Sequence, residues 1–141
     1  MNDSPERRIL VVDDDEAIRV LLLTILRRRG LAADVATNGG EAIACLERCR
    51  YAVMLLDLMM PLESGFDVLA QIARWPEERR PITIVLTAGP EPHTLDPRLV
   101  AGTVRKPFDI DMLIDTVIAC VHSTKAQPPV EDPSTATQIV N

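Results

Sequence analysis

Two rhythms of apolar residues alternate along the chain. Arg8 to Val12, RILVV, is a short β-branched run cut off by three acids, and it reads as a buried strand. The next stretch, DEAIRVLLLTILRRRG, repeats Ile18, Leu21, Leu22, Ile25 and Leu26 at helical spacing, and Gly30 closes the helix. Residues 31–37, LAADVAT, read as a second strand, and GGEAIACLERC as a second helix. Residues 51–57, YAVMLLD, show no alternation, which predicts a third strand buried on both faces. Ser64 is placed to cap a third helix running through Arg74, with Phe66, Leu69, Ala70 and Ile72 available for burial. Residues 81–87, PITIVLT, predict a fourth strand.

The pattern weakens after Thr87. Pro90, Pro92 and Pro97 forbid a long helix. Asp96-Pro97 reads as an N-cap followed by proline at the first helical position, so a short helix over roughly 97–101 is the most that is expected. TVRK, 103–106, predicts a fifth strand. DIDMLIDTVIACV, 109–121, predicts a last helix, apolar at Met112, Leu113, Val117, Ile118 and Val121. Residues 123–141 are rich in Ser, Thr and Pro without periodicity, and read as a disordered tail or linker. The expected organisation is an extension over 1–6, one domain over 7–122 and that tail. Buried strands alternating with helices imply an α/β fold, a doubly wound five-stranded parallel sheet with right-handed crossovers. In such open sheets ligands bind at the carboxyl ends of the strands.

Composition narrows the function. A net charge of −6 and a pI of about 4.9 argue against a broad basic face that grips nucleic acid. The run Arg27-Arg28-Arg29 falls at a helix end, where it complements the helix dipole. No apolar stretch has the length of a membrane span, and the first apolar run is too short for a signal peptide, so a cytoplasmic protein without membrane partners is expected. Cys45, Cys49 and Cys120 form no CxxC or Cys/His cluster, which argues against zinc; they read as small buried hydrophobes. Trp75 reads as a helix-end packing residue, and His93 and His122 as solvent-exposed.

The strand ends carry the candidate chemistry. The first ends at Asp13-Asp14, the third at Asp57, the fourth at Thr87 and the fifth at Lys106. Singly, each has an ordinary explanation: a turn acid or cap for Asp57, a strand residue for Thr87, a surface lysine for Lys106. Together they place three acids, a hydroxyl and a cation at one rim. Asp57 is the sharpest, since it stands inside MLLDLMMP, where an unpaired buried charge is costly. Three close carboxylates repel one another, so Lys106 and a divalent cation must compensate. Mg2+ suits the set, because it keeps several waters and takes one or two carboxylates plus phosphate oxygens. A carboxylate in that setting can accept a phosphoryl group as an acyl phosphate. Asp15, the third acid of DDD, reads as a helix cap.

ILVVDDDEAIR, LLDLMMP…SG, VLTA and KPF, in this order and spacing, resemble the receiver domain of bacterial two-component response regulators, the CheY-like family. The resemblance covers about residues 7–122; no DNA-binding or enzymatic pattern follows residue 122, so a stand-alone receiver is expected. It implies a flavodoxin-like sheet of order 2-1-3-4-5, here with a shortened fourth helix. It implies that Asp57 is the phosphoacceptor, Asp14 a direct Mg2+ ligand, Asp13 a ligand acting through water, and the backbone carbonyl of Met59 a further ligand. Thr87 and the N–H of Ala88 would bind the phosphoryl group, and Lys106 would pair with one of its oxygens. The Lys106-Pro107 bond is expected to be cis. Partners implied are a sensor histidine kinase or a histidine phosphotransfer protein, then a downstream protein or a weak homodimer. The chain would be a switch and not a turnover enzyme.

Three features depart from the family pattern. Thr103 stands where an aromatic residue is common in the fifth strand. The fourth helix is short, which points to readout by reordering of residues 88–96. Met59 and Gly89 occupy the positions that influence acyl phosphate hydrolysis. Two alternative functions fit the residues less well. An aspartyl-nucleophile phosphatase or phosphotransferase would place a second acid two residues after Asp57, where this chain has Met59. A phosphorylation-independent scaffold of receiver fold would have lost one of the site residues, and all are present.

Overall fold

The computed structural model describes residues 8–60, 64–89 and 95–126. Its elements are β1 (Ile9–Val12), α1 (Glu16–Arg28), β2 (Ala33–Ala36), α2 (Gly39–Arg48), β3 (Val53–Asp57), α3 (Gly65–Ile72), β4 (Ile82–Thr87), β5 (Val100–Arg105) and α4 (Ile110–Ala126), with a 3-10 turn at Glu77–Arg79. The five strands form one sheet of order β2-β1-β3-β4-β5, parallel throughout.

The unbroken apolar runs follow from this architecture. Successive strand residues point to opposite faces, and helices cover both. Leu10, Val12, Met54, Leu56 and Val85 face α2 and α3, meeting Ala42, Leu46, Val68, Leu69 and Ile72. Ile9, Val11, Val53, Leu55, Ile84 and Leu86 face α1 and α4, meeting Leu22, Leu26, Leu113, Ile114 and Val117. Both faces of β1 and β3 are therefore apolar, which leaves their carboxyl ends as the place for polar chemistry.

Local signals set the helix ends. Asp15 caps α1, its Oδ1 accepting from the N–H of Ala17 at 2.9 Å and of Ile18 at 3.3 Å. Arg27 and Arg28 fill the last turn of α1, and Gly30 leaves it with φ +84°, a backbone state natural to glycine. At α3 the Ser64 N–H donates to Asp67 Oδ2 at 3.0 Å, one half of a capping box. Trp75 packs on the core behind α3, with the Arg79 guanidinium 5.0 Å from its ring centre.

Several expectations are corrected. Residues 97–99 form a turn, and Val100 and Ala101 already belong to β5, so the short helix over 97–101 is absent. Among the described residues the β4–β5 connection holds no helix. The N–H groups of Leu99 and Val100 both bond the Asp96 carbonyl, and Asp96 Oδ1 accepts from the Arg98 N–H at 2.9 Å. Asp96 thus caps a single turn as its sequence suggests, but Val100 then pairs with Thr83 in the sheet. The fifth strand accordingly begins at Val100, not 103, and Lys106 lies just beyond its end. The third helix ends at Ile72, not Arg74, and buries Gly65, Val68, Leu69 and Ile72 while Phe66 and Ala70 are exposed. Leu21 and Met112 are exposed as well, and Ile114, missing from the expected face, is buried. The last helix continues to Ala126, past residue 121. The three cysteines are half-buried, and His122 is exposed. His93, the extension over 1–6, most of the loop 88–96 and residues 127–141 lie outside the described residues.

Alanine substitutions test these faces. Leu22→Ala and Ile114→Ala should each cost about 2–4 kcal/mol in urea unfolding, because each empties a closed site. Leu21→Ala should change stability by less than about 1 kcal/mol. Equal losses at Leu21 and Leu22 would contradict the rotation of α1.

Candidate functional site

Strand register brings the polar residues together. Val12 pairs with Leu56 and Leu86 with Asp57, so Asp13, one step beyond Val12, is level with Asp57 at the rim. Thr87, the last residue of β4, pairs with Arg105, which puts Lys106 immediately past that rim.

Asp13 is completely buried. Its Oδ1 accepts from the Asp15 N–H at 2.9 Å, and its Oδ2 from the Lys106 ammonium at 2.9 Å. The Asp57 carboxylate is 3% exposed by residue; its Oδ1 accepts from the Met59 N–H at 3.1 Å, and its Oδ2 lies 3.6 Å from Lys106 Nζ. Asp14 is exposed, yet a carboxylate oxygen from each of Asp13, Asp14 and Asp57 falls within 4.8 Å of the others. Thr87 is buried beside them. Its hydroxyl accepts from the Gly89 N–H at 3.3 Å, and its carbonyl accepts from the Lys106 N–H at 2.8 Å, which ties the lysine's backbone to the end of β4. The Lys106-Pro107 bond that follows is cis.

Charges in this space shift one another. Burial, with the charges of Asp13 and Asp14 adding, pushes the Asp57 carboxyl up to about 6, against the opposing pull of the Met59 N–H and Lys106. For Lys106, burial alone would favour the neutral amine. The hydrogen bond and charge of Asp13, joined by Asp57, outweigh it and raise the ammonium's pKa overall. One ammonium facing three carboxylates leaves net negative charge. A set of hard oxygen donors with that deficit fits a divalent cation such as Mg2+, and Asp13, Asp14 and Asp57 are the residues that could hold it.

Asp13, Asp14, Asp57 and Lys106 thus converge as the sequence suggests, with Thr87 at the adjoining strand end. Met59 joins through its N–H, while its side chain points out, 67% exposed. Two supporting residues carry no role in the sequence reading. Arg19 Nη1 donates to the Asp13 backbone carbonyl at 2.9 Å, tying α1 to the end of β1. Gly65 starts α3 where a Cβ would stand 2.6 Å from the Asp57 carbonyl oxygen, so only glycine allows α3 to approach β3 this closely. Of the two, Gly65 is legible in the sequence, as the glycine of the SG motif. Arg19 looked like any polar residue on an amphipathic helix.

The Asp57 shift has a consequence for stability. Its folded pKa is raised, so protonation favours the folded state, and stability associated with this group is lost as pH rises from about 4 through about 6. In metal-free buffer, Asp57→Asn should match wild type near pH 4 and exceed it by about 1–3 kcal/mol above pH 7. Urea unfolding across that range checks this, and a difference independent of pH would contradict it.

A family model for the response regulator receiver domain matches residues 9–118. The transcriptional regulatory protein ResD of Bacillus subtilis is 42% identical over 111 residues, which are 77% of this chain and 45% of ResD. The chain spans about half the length, or less, of the curated relatives it matches. Among solved structures, a CheY-like response regulator receiver domain protein from Methanospirillum hungatei aligns with TM-score 0.75 at 29% identity, covering 86% of this chain and 99% of that one. The response regulator protein TrrA from Thermotoga maritima, in complex with Mg(2+)-BeF, aligns with TM-score 0.71 at 34% identity, covering 81% and 98%. Sheet order, acidic rim and family match agree, and the chain belongs to the response regulator receiver domain family.

Proposed function

We propose that Asp57 accepts a phosphoryl group from a phosphohistidine and that the resulting acyl phosphate switches the affinity of the chain for a downstream protein. The carrying observation is the Lys106 ammonium lodged between two buried carboxylates, 2.9 Å from Asp13 and 3.6 Å from Asp57. The donor is a sensor histidine kinase or a histidine phosphotransfer protein, and the reaction takes place in the cytoplasm.

In the transfer, an Asp57 carboxylate oxygen attacks phosphorus. The new O–P bond forms as the P–N bond of the donor breaks, and the leaving imidazole takes a proton from water. Asp57 stands at the end of a fully buried strand, so its approach is set by the sheet and not by a mobile loop. Asp13, Asp14, Asp57 and the backbone carbonyl of Met59 would hold Mg2+, with Asp13 acting through water. When bound, the ion supplies positive charge opposite the transferred oxygens. Lys106 already faces Asp57 and pairs with a phosphoryl oxygen once the group arrives. Thr87 gives up the Gly89 N–H, turns its hydroxyl to the phosphoryl group, and so carries the change into the β4–β5 connection. The Ala88 N–H adds a second donor.

A scaffold that ignores phosphate is the second reading. Among the described residues the connection between β4 and β5 holds no helix, and that favours it, because a helix there would relay the switch. Intact-protein mass after incubation with acetyl phosphate separates the two. The expected result is one phosphoryl adduct on wild type that needs Mg2+ and is lost in Asp57→Asn; a folded wild type without any adduct would favour the scaffold. Met59 offers an attacking water no hydrogen bond, so the adduct should outlast that of Met59→Asn. Equal lifetimes would contradict this role for Met59.

A further inference from the structure

Four methionines fall among the described residues, and they divide sharply. Met54 and Met60 are buried, while Met59 is 67% exposed and Met112 66%. Burial does not account for an apolar side chain this exposed two residues from Asp57 of the carboxylate cluster. Met59 is nevertheless held in place, because its N–H donates to Asp57 Oδ1. That bond fixes the Met59 backbone at the lip of the carboxylate cluster, and the exposed side chain is open to small reactants from solvent.

A thioether is the group at this lip that a mild two-electron oxidant converts from apolar to polar without removing it. We propose that Met59 is an oxidation site, and that its sulfoxide shortens the lifetime of the acyl phosphate on Asp57. The proposal rests on the phosphoacceptor reading above. The oxidant class is a peroxide. The sulfur lone pair attacks one oxygen of hydrogen peroxide, an S–O bond forms, the O–O bond breaks, and the departing hydroxide removes the remaining proton as water. Sulfur loses two electrons and the peroxide gains two. Thiol-dependent sulfoxide reductases reverse the change.

The consequence follows from hydrogen bonding. A thioether sulfur is a weak acceptor, whereas a sulfoxide oxygen is a strong one. Two residues from Asp57, it gives an attacking water a partner that native Met59 lacks, as the amide of Met59→Asn would. Oxidation thereby links the persistence of the signal to peroxide exposure. Cys45 of α2 and Cys49 just after it do not compete for this role: both pack against the core, where the last turn of α2 lies at the end of the sheet opposite the site.

The test uses the full chain. It is treated with limiting hydrogen peroxide, its thiols are restored with dithiothreitol, and the oxidised residues are located by peptide mass mapping. The protein is then phosphorylated with acetyl phosphate and Mg2+, and loss of the adduct is followed by intact mass. Met59 and Met112 should gain oxygen before Met54 and Met60. The adduct on oxidised protein should decay about three- to tenfold faster than on untreated protein, the scale of one hydrogen bond to the attacking water. Each variant is compared with its own untreated sample: Met59→Leu should lose the acceleration and Met112→Leu should keep it. An unchanged lifetime with Met59 oxidised overturns the proposal, and so does an acceleration that survives in Met59→Leu. Failure of untreated protein to form any adduct removes the phosphoacceptor reading itself, and this proposal with it.

Discussion

Two carboxylates, Asp13 and Asp57, are buried at the ends of neighbouring strands, and the ammonium of Lys106 reaches both. Removing two charges from water is costly, and their mutual repulsion adds to that cost. Lys106 offsets part of it, together with the N–H groups of Asp15 and Met59. Burial, with the charges of Asp13 and Asp14 adding, still pushes Asp57 up to about 6. The rim is therefore held in a state that favours added positive charge, and the rest of the structure serves to keep the groups where that tension persists.

The sheet does so through its order. β1 and β3 are adjacent and central, so their acids meet without any loop intervening. Lys106 comes from beyond β5, on the far side of β4. Its backbone is bonded to Thr87 at the end of β4, and its side chain crosses the rim to Asp13. Thr87 thus bonds the backbone of Lys106 through its carbonyl and, through its hydroxyl, the loop at Gly89. A ligand that drew on the Thr87 hydroxyl would compete with the Gly89 N–H for it.

The sheet and its rim were legible because uninterrupted apolar runs ending in polar residues have few alternatives in a parallel fold. Asp13, Asp57, Thr87 and Lys106 stood out for that reason. The helix faces were less legible. The sequence offers Phe66 for burial with Leu69, Ala70 and Ile72, but Gly65 must press against the Asp57 carbonyl, and in α3 so placed Phe66 is exposed and Val68 buried. The turn at 97–99 misled differently. Asp96 and Pro97 do carry a helix-start signal, but pairing of Val100 with Thr83 stops it after one turn. Arg19 was not legible at all, since its partner is a backbone carbonyl and nothing in side-chain pattern reports that.

The proposed acceptor is Asp57, and not its neighbours Asp13 or Asp14. Borohydride reduction of the phosphorylated protein converts an acyl phosphate to the alcohol, turning an aspartyl residue into homoserine, and peptide mass mapping then locates it. Homoserine at position 57 alone is the result this account predicts. Homoserine at position 13 or 14, with Asp57 intact, would contradict it.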